Sequence, residues 1–221
     1  MKNKKIQLPL ILAIVCFALF VAEIILLCTV DVRKIGPFES AVGLATFNNN
    51  IFSKLGQSNL WYKVTEFLGY LPILTALGFA ALGAYRLIKT KKLSGIGDDV
   101  IALGIVFILV AAFYVLFEIA VINHRPILID GELEASFPSS HTMLAVSVLG
   151  CAGEYFFNSK LKNAVRFILH ALFNTVLILT VVGRLLSGVH WFTDIVGGVL
   201  LGFALIFTYK VLSQITIFKK K

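Results

Sequence analysis

Three short polar stretches interrupt an otherwise apolar chain, and each holds residue types suited to handling an anion. The first is Asn123, His124, Arg125 and Pro126, the second Pro138, Ser139, Ser140 and His141, and the third runs from Arg184 through His190 to Asp194. Arg125 and Arg184 each offer a planar fork of donors that matches phosphoryl oxygens, and a permanent charge between apolar segments is costly unless it meets an anion. Ser139 and Ser140 stand where an apolar run begins, so they are expected at a helix amino terminus, where free backbone N–H groups and the helix dipole favour negative charge. Pro138 suits such a start because it has no N–H to lose. His190 and Asp194 are four positions apart, a spacing that stacks two side chains on one helix face. A carboxylate so placed accepts from one imidazole nitrogen and leaves the other as an outward lone pair, a competent nucleophile or base. His141 supplies a second imidazole able to protonate a departing alkoxide.

The elements that must position these groups are membrane helices. Of 221 residues, 58% are hydrophobic and 14% charged, with mean hydropathy +0.91, more apolar surface than a soluble chain of this size can hide. Apolar runs of about 20 residues predict six spans at 8–30, 64–88, 100–123, 140–157, 164–187 and 191–215. The run from Leu8 has no small-residue cleavage site and reads as a first membrane helix rather than a leader. The expected fold is all-α, a single integral membrane bundle of six transmembrane helices over 1–221, with the motifs in 64–215. Residues 31–63 form the one long connection, where Phe38, Phe47, Phe52, Leu60, Trp61 and Tyr62 alternate with polar residues, and this reads as an interfacial segment that caps the bundle or admits lipid.

Charge gives the orientation. With the amino terminus inside, one side carries thirteen Lys and Arg, among them Lys2, Lys4, Lys5, Lys219, Lys220 and Lys221, against six on the other. Both termini are thus expected in the cytoplasm, and all three polar stretches meet at the non-cytoplasmic face. The net charge of +8 lies in short clusters between apolar runs, which fits membrane orientation and argues against nucleic acid as a partner. Cys16, Cys28 and Cys151 fall inside apolar runs without metal spacing. The basic termini suit a bacterial inner membrane.

The three stretches resemble the motifs of the type 2 phosphatidic acid phosphatase superfamily, Lys-x6-Arg-Pro, Pro-Ser-Gly-His and Ser-Arg-x5-His-x3-Asp. In this chain Arg125-Pro126, Pro138-Ser139-Ser140-His141 and Gly183-Arg184-x5-His190-x3-Asp194 stand in the corresponding places, and the likeness extends over roughly 64–215. The resemblance implies a six-helix bundle that cleaves a phosphomonoester or pyrophosphate through a phosphohistidine without metal or other cofactor. It makes His190 the nucleophile, Asp194 its orienting partner and His141 the general acid, with Arg125, Ser139, Ser140 and Arg184 holding the phosphate. The substrate would be a membrane lipid bearing a phosphate or diphosphate. A phosphotransferase with a lipid or sugar acceptor, and a non-catalytic anionic-lipid binding protein or transporter, would present the same residues.

Three positions depart from the pattern. Ser140 replaces Gly, Gly183 replaces Ser, and Glu118 stands where the family has Lys, seven positions before Arg125. Seven residues are almost two helical turns, so Glu118 is expected to share a face with Arg125 and point at the site. There it either fixes Arg125 or Arg184 by an ion pair or meets a cationic part of the substrate. Asp130, Glu132 and Glu134, between the first two motifs, read as a solvated loop. Glu23 and Glu154 lie within apolar spans, Glu154 near a cytoplasmic end, while His170 and Asn174 are spaced for interhelical hydrogen bonds.

Overall fold

The computed structural model describes residues 2–215, with side chains from residue 6 onward. Lys219, Lys220 and Lys221, and the side chains of Lys2, Lys4 and Lys5, which contributed to the charge count, lie outside the described residues. The chain is a membrane protein built almost wholly of helices. They are α1 (Lys2–Thr29), α2 (Ala45–Leu55), α3 (Asn59–Thr90), α4 (Asp98–Ile119), α5 (Ser140–Leu144), α6 (Gly150–Phe157), α7 (Asn163–Ser187) and α8 (Phe192–Leu212). Between α1 and α2, β1 (Arg33–Lys34) and β2 (Ala41–Val42) pair antiparallel, with Arg33 opposite Val42.

Five of the helices are long and apolar enough to cross a membrane: Ile6–Thr29 within α1, then α3, α4, α7 and α8. The expected span at 140–157 takes a different form. It is one unbroken helical run in which a π-helical segment, Ala145–Leu149, separates α5 from α6. Large apolar side chains such as Ile73 and Leu77 on α3 and Ile168 and Leu172 on α7 remain exposed, the expected surface of a bundle bathed in lipid.

Helix 140–157 is the most enclosed, held against α8 by close backbone approach. A Cβ at Gly202 of α8 would lie 2.6 Å from Val146, so only a glycine admits the π segment here. Beside it Phe20 of α1, Phe117 of α4 and Phe137 form an aromatic cluster, with Phe137 stacked on Phe20 at 5.7 Å and edge-on to Phe117 at 6.0 Å. Phe137 thereby anchors the chain just before α5, fixing the start of the second motif.

The predicted third span runs too far. Helix α4 stops at Ile119, where Ala120 adopts φ −90, ψ 76, and residues 123–136 fold back on themselves. Asn123 pairs with Ser136, Arg125 with Glu134 and Ile129 with Glu132 through backbone hydrogen bonds of 2.8 to 3.1 Å. The reversal falls on Asp130-Gly131, both at positive φ, the signature of a two-residue hairpin turn. Pro126 would in any case have disfavoured a helix through Arg125.

The core beside the site allows a direct check. A Cβ at Gly197 would sit 2.4 Å from the Phe137 ring. Gly197→Ala should therefore lower the thermal midpoint in detergent, corresponding to about 1–3 kcal/mol of overpacking, while Gly78→Ala, which meets no atom within 4 Å, should leave it unchanged or raised.

Candidate active site

The three motif segments meet at one end of the bundle, where α1, α4 and α7 end and α3, α5 and α8 begin. Ser139 is the N-cap of α5, its hydroxyl accepting from the Thr142 N–H at 3.4 Å, and its own N–H donates to the Asp194 carbonyl at 2.9 Å. That bond ties the second motif to the third. Ser140 and His141 form the first turn of α5, where backbone N–H groups have no intrahelical acceptor. Helix α7 ends with Gly188 in the left-handed region at φ 70, a common helix stop. The chain then passes through His190 and the extended N-cap Trp191 into α8, and Asp194 accepts the Trp191 N–H at 2.8 Å.

At the centre is the His190 imidazole, 3% exposed. Its Nε2 lies 3.4 Å from Arg125 Nη1 and 3.4 Å from Arg184 Nη2. Its Nδ1 lies 3.1 Å from Ser136 Oγ, which in turn makes a short hydrogen bond to Asp194 Oδ2. An ionised Asp194 can only accept, so Ser136 donates to it and receives the Nδ1–H of His190. Nε2 is then the lone pair, facing two guanidiniums. Burial lowers the pKa of His190 well below the ordinary histidine value, and the nearby Arg125 and Arg184 charges push in the same direction. The imidazole is neutral at pH 7.

This differs from the arrangement expected from spacing. Asp194 Oδ2 is 3.7 Å from His190 Nδ1, beyond hydrogen-bond reach, and Ser136 fills the gap. The four-residue stacking rule presumes that both residues are helical, whereas His190 precedes the start of α8. Asp194 is joined to His190 through Ser136, and its other oxygen lies 3.5 Å from Asn123 Nδ2.

Both arginines have carboxylate partners, neither of them Glu118. Arg184, fully buried, meets Glu66 of α3 at 2.8 Å and Thr65 at 3.3 Å, with its guanidinium 5.7 Å from the centre of the Tyr62 ring. Arg125 meets Glu134 at 3.0 Å, so the loop carboxylate read as merely solvated is part of the site. The Nε groups of both arginines are buried without a hydrogen-bond acceptor, the Arg125–Glu134 contact being an ion pair outside hydrogen-bond geometry. Glu66 also lies 3.5 Å from His141 Nε2. Glu118 is exposed on the wall of a cleft of about 540 Å³ that it shares with Tyr62, Glu66, Tyr114, Arg125 and His141. The expected Glu118–arginine pair is absent among the described residues because α4 ends one residue later, so the helical spacing from Glu118 to Arg125 does not apply.

The segment 31–63 closes over this end. Asn48 of α2, fully buried, bonds Thr193 and the Gly43 carbonyl, and the Gly43 N–H donates to Asn123 at 3.1 Å. Phe52 packs on Trp191 and Phe47 on Phe192. Sequence reading passed over Glu66, Ser136, Thr65 and Asn48. Glu66 alone carried a signal, as a carboxylate one turn inside an apolar span. Elsewhere, Glu154 of α6 pairs with Lys210 at 2.8 Å at the opposite end, and Asn174 bonds the His170 carbonyl of its own helix rather than a neighbour. Among the described residues no cluster of His, Cys, Asp and Glu has metal-binding geometry.

Comparison with known proteins agrees with this architecture. The PAP2 superfamily model matches residues 120–217, a stretch that holds all three motif segments from Arg125 onward. Among solved structures, a transmembrane PAP2-type phosphatidylglycerolphosphate phosphatase from Bacillus subtilis superposes with TM-score 0.59 at 18% identity, covering 90% of this chain and 94% of that one. No curated protein matches the chain. The matched residues 120–217 carry Arg125, Ser139, His141, Arg184, His190 and Asp194, so it is over this stretch that the chain is similar to the PAP2 superfamily.

Proposed function

We propose that the protein is a membrane phosphatase that removes phosphate from a lipid phosphate or lipid diphosphate through a phosphohistidine at His190. The observation that carries this reading is the His190 Nε2 lone pair set between the Arg125 and Arg184 guanidiniums at 3.4 Å each. A phosphoryl group entering from the cleft brings oxygens to the two guanidiniums and phosphorus to the lone pair. Nε2 attacks phosphorus as the bond to the lipid oxygen breaks, and His141 gives its proton to the departing oxygen. Water then displaces the imidazole from phosphorus and returns a proton to His141. Glu66, 3.5 Å from His141 Nε2, is placed to accept from that nitrogen when it bears the proton. The superfamily match and the likeness to a protein described as a phosphatidylglycerolphosphate phosphatase support a lipid phosphate as substrate.

In this reading 140–157 is the sixth span, about 27 Å long at 1.5 Å per residue, close to the hydrocarbon thickness. Six crossings leave both termini in the cytoplasm, as the Lys and Arg bias favours, and put the cleft at the non-cytoplasmic face of a bacterial inner membrane. Ser139 and Ser140, at the head of α5, take the remaining phosphate oxygens, and Glu118 meets the headgroup beyond them.

Purified protein in detergent should release phosphate from lipid phosphates or diphosphates with EDTA present, and His190→Ala should abolish that release. Failure of every substrate with well-folded protein would overturn the hydrolase reading, and transfer of label to an added lipid or sugar acceptor would replace it with a phosphotransferase. The acid limb of kcat/KM, which reports the free enzyme, should fall below the ordinary histidine pKa of about 6.5, because burial and two guanidiniums disfavour the protonated imidazole. Removing one charge in Arg125→Gln should move that limb to higher pH. Glu118→Gln should change KM by up to about fivefold, the scale of an exposed charge, with kcat little altered.

A further inference from the structure

Ser136 is a buried hydroxyl between two ionisable groups, and it lies outside all three motifs. It lies three residues before Ser139, on the last strand of the 123–136 hairpin, and its backbone N–H is fixed to the Asn123 carbonyl at 2.9 Å. Phe137, next in the chain, is clamped between Phe20 and Phe117. Backbone and neighbour together leave the hydroxyl little freedom. It is 2% exposed, donates to Asp194 Oδ2 and stands 3.1 Å from His190 Nδ1.

We infer that Ser136 is the positioning residue through which Asp194 acts on His190, a hydroxyl relay in place of a direct carboxylate–imidazole bond. Asp194 is held away by its own anchors. Its Oδ2 accepts the Trp191 N–H at 2.8 Å, its Oδ1 faces Asn123, and 3.7 Å separates it from Nδ1. A hydroxyl is the group that can close this gap, since it donates to a carboxylate while accepting from an N–H. Its orientation is set by the acceptor-only carboxylate, so the proton of His190 is kept on Nδ1 and the lone pair on Nε2. When Nε2 bonds phosphorus, the imidazole gains positive charge. The Nδ1–H bond to Ser136 then strengthens, and the hydroxyl, polarised by Asp194, carries that stabilisation without itself losing its proton. No atom of Ser136 touches the substrate, and its effect belongs to the chemical step rather than to binding.

The kinetic consequences rest on the phosphohistidine reading, whereas the tautomer does not. Nitrogen NMR of 15N-histidine-labelled protein, with His190 assigned by the His190→Ala variant, should give Nδ1 protonated and Nε2 bare at pH 7.5. Ser136→Ala should shift the Nδ1 resonance as its hydrogen bond is lost, while Nε2 stays bare because Arg125 and Arg184 can only donate to it, and Ser136→Thr, which restores a hydroxyl, should return the Nδ1 resonance to its wild-type position. In turnover, Ser136→Ala should lower kcat about tenfold to a hundredfold, the scale of a hydrogen bond to a charged group, with KM within about twofold. Ser136→Ala combined with Asp194→Asn should be no slower than Asp194→Asn alone, because the relay has nothing left to transmit. Wild-type kcat in Ser136→Ala, an Nδ1 resonance unchanged in that variant, or losses that multiply in the double variant would overturn the relay. Should the wild type release no phosphate at all, the proposed function fails, and the Nδ1 resonance in Ser136→Ala still decides whether Ser136 holds that nitrogen. Thermal midpoints of each variant in detergent separate a general loss of fold from the specific effect.

Discussion

The constraint on which this end of the molecule depends is the burial of a guanidinium, fully enclosed, at the rim of a lipid-exposed bundle. Arg184 cannot lose its proton, and a charge without partners there would cost several kcal/mol. The surrounding residues respond to that demand. Glu66 supplies the countercharge, Thr65 an oxygen and Tyr62 a ring face, so the amino-terminal turns of α3 are committed to α7. The compensation is incomplete, since Nε has no acceptor, and a second guanidinium, that of Arg125, stands at the same imidazole nitrogen. Two guanidiniums converge on one imidazole nitrogen, each held by a carboxylate from another part of the chain.

The same pair of charges fixes the state of His190. Two guanidiniums at Nε2 and exclusion of water make the imidazolium unfavourable, while the Ser136–Asp194 arm keeps the remaining proton on Nδ1. Neutrality and tautomer are thus set from opposite sides of one ring. The arms come from distant parts of the sequence, one from the α7–α8 corner and one from the 123–136 hairpin. The aromatic cluster of Phe20, Phe117 and Phe137 holds the hairpin against the bundle, which gives α1, otherwise without motif residues, a part in the geometry.

Segment 31–63 adds a second layer. Asn48 and Gly43 connect it to Thr193 and to Asn123, which itself faces Asp194. It is therefore tied to the residues that orient the histidine. The cleft beneath combines Glu66, Glu118 and Glu134 with Arg125 and two tyrosines, and two of its carboxylates already engage the arginines.

Most of the architecture was legible in the sequence because it follows from local patterns. Long apolar runs specify helices in lipid whatever they pack against, and five of the six anticipated spans have the length and composition of crossing helices. The residue types of the site were legible too, since Arg, His, Ser and Asp interrupt an apolar background where nothing else accounts for their cost. What the sequence could not fix was which partner each charge finds, because a contact between distant residues is settled by packing rather than by spacing. Helical periodicity brought Glu118 into the cleft of Arg125 and His190 within 3.7 Å of Asp194, but neither pair bonds directly, because a helix boundary fell between the residues and one member of each pair was not helical. Tertiary structure alone brought in Glu66, Glu134 and Ser136. By itself the sequence determined a membrane bundle with an anion-seeking end, and only the folded chain decided how its arginines are countered and how its histidine is held.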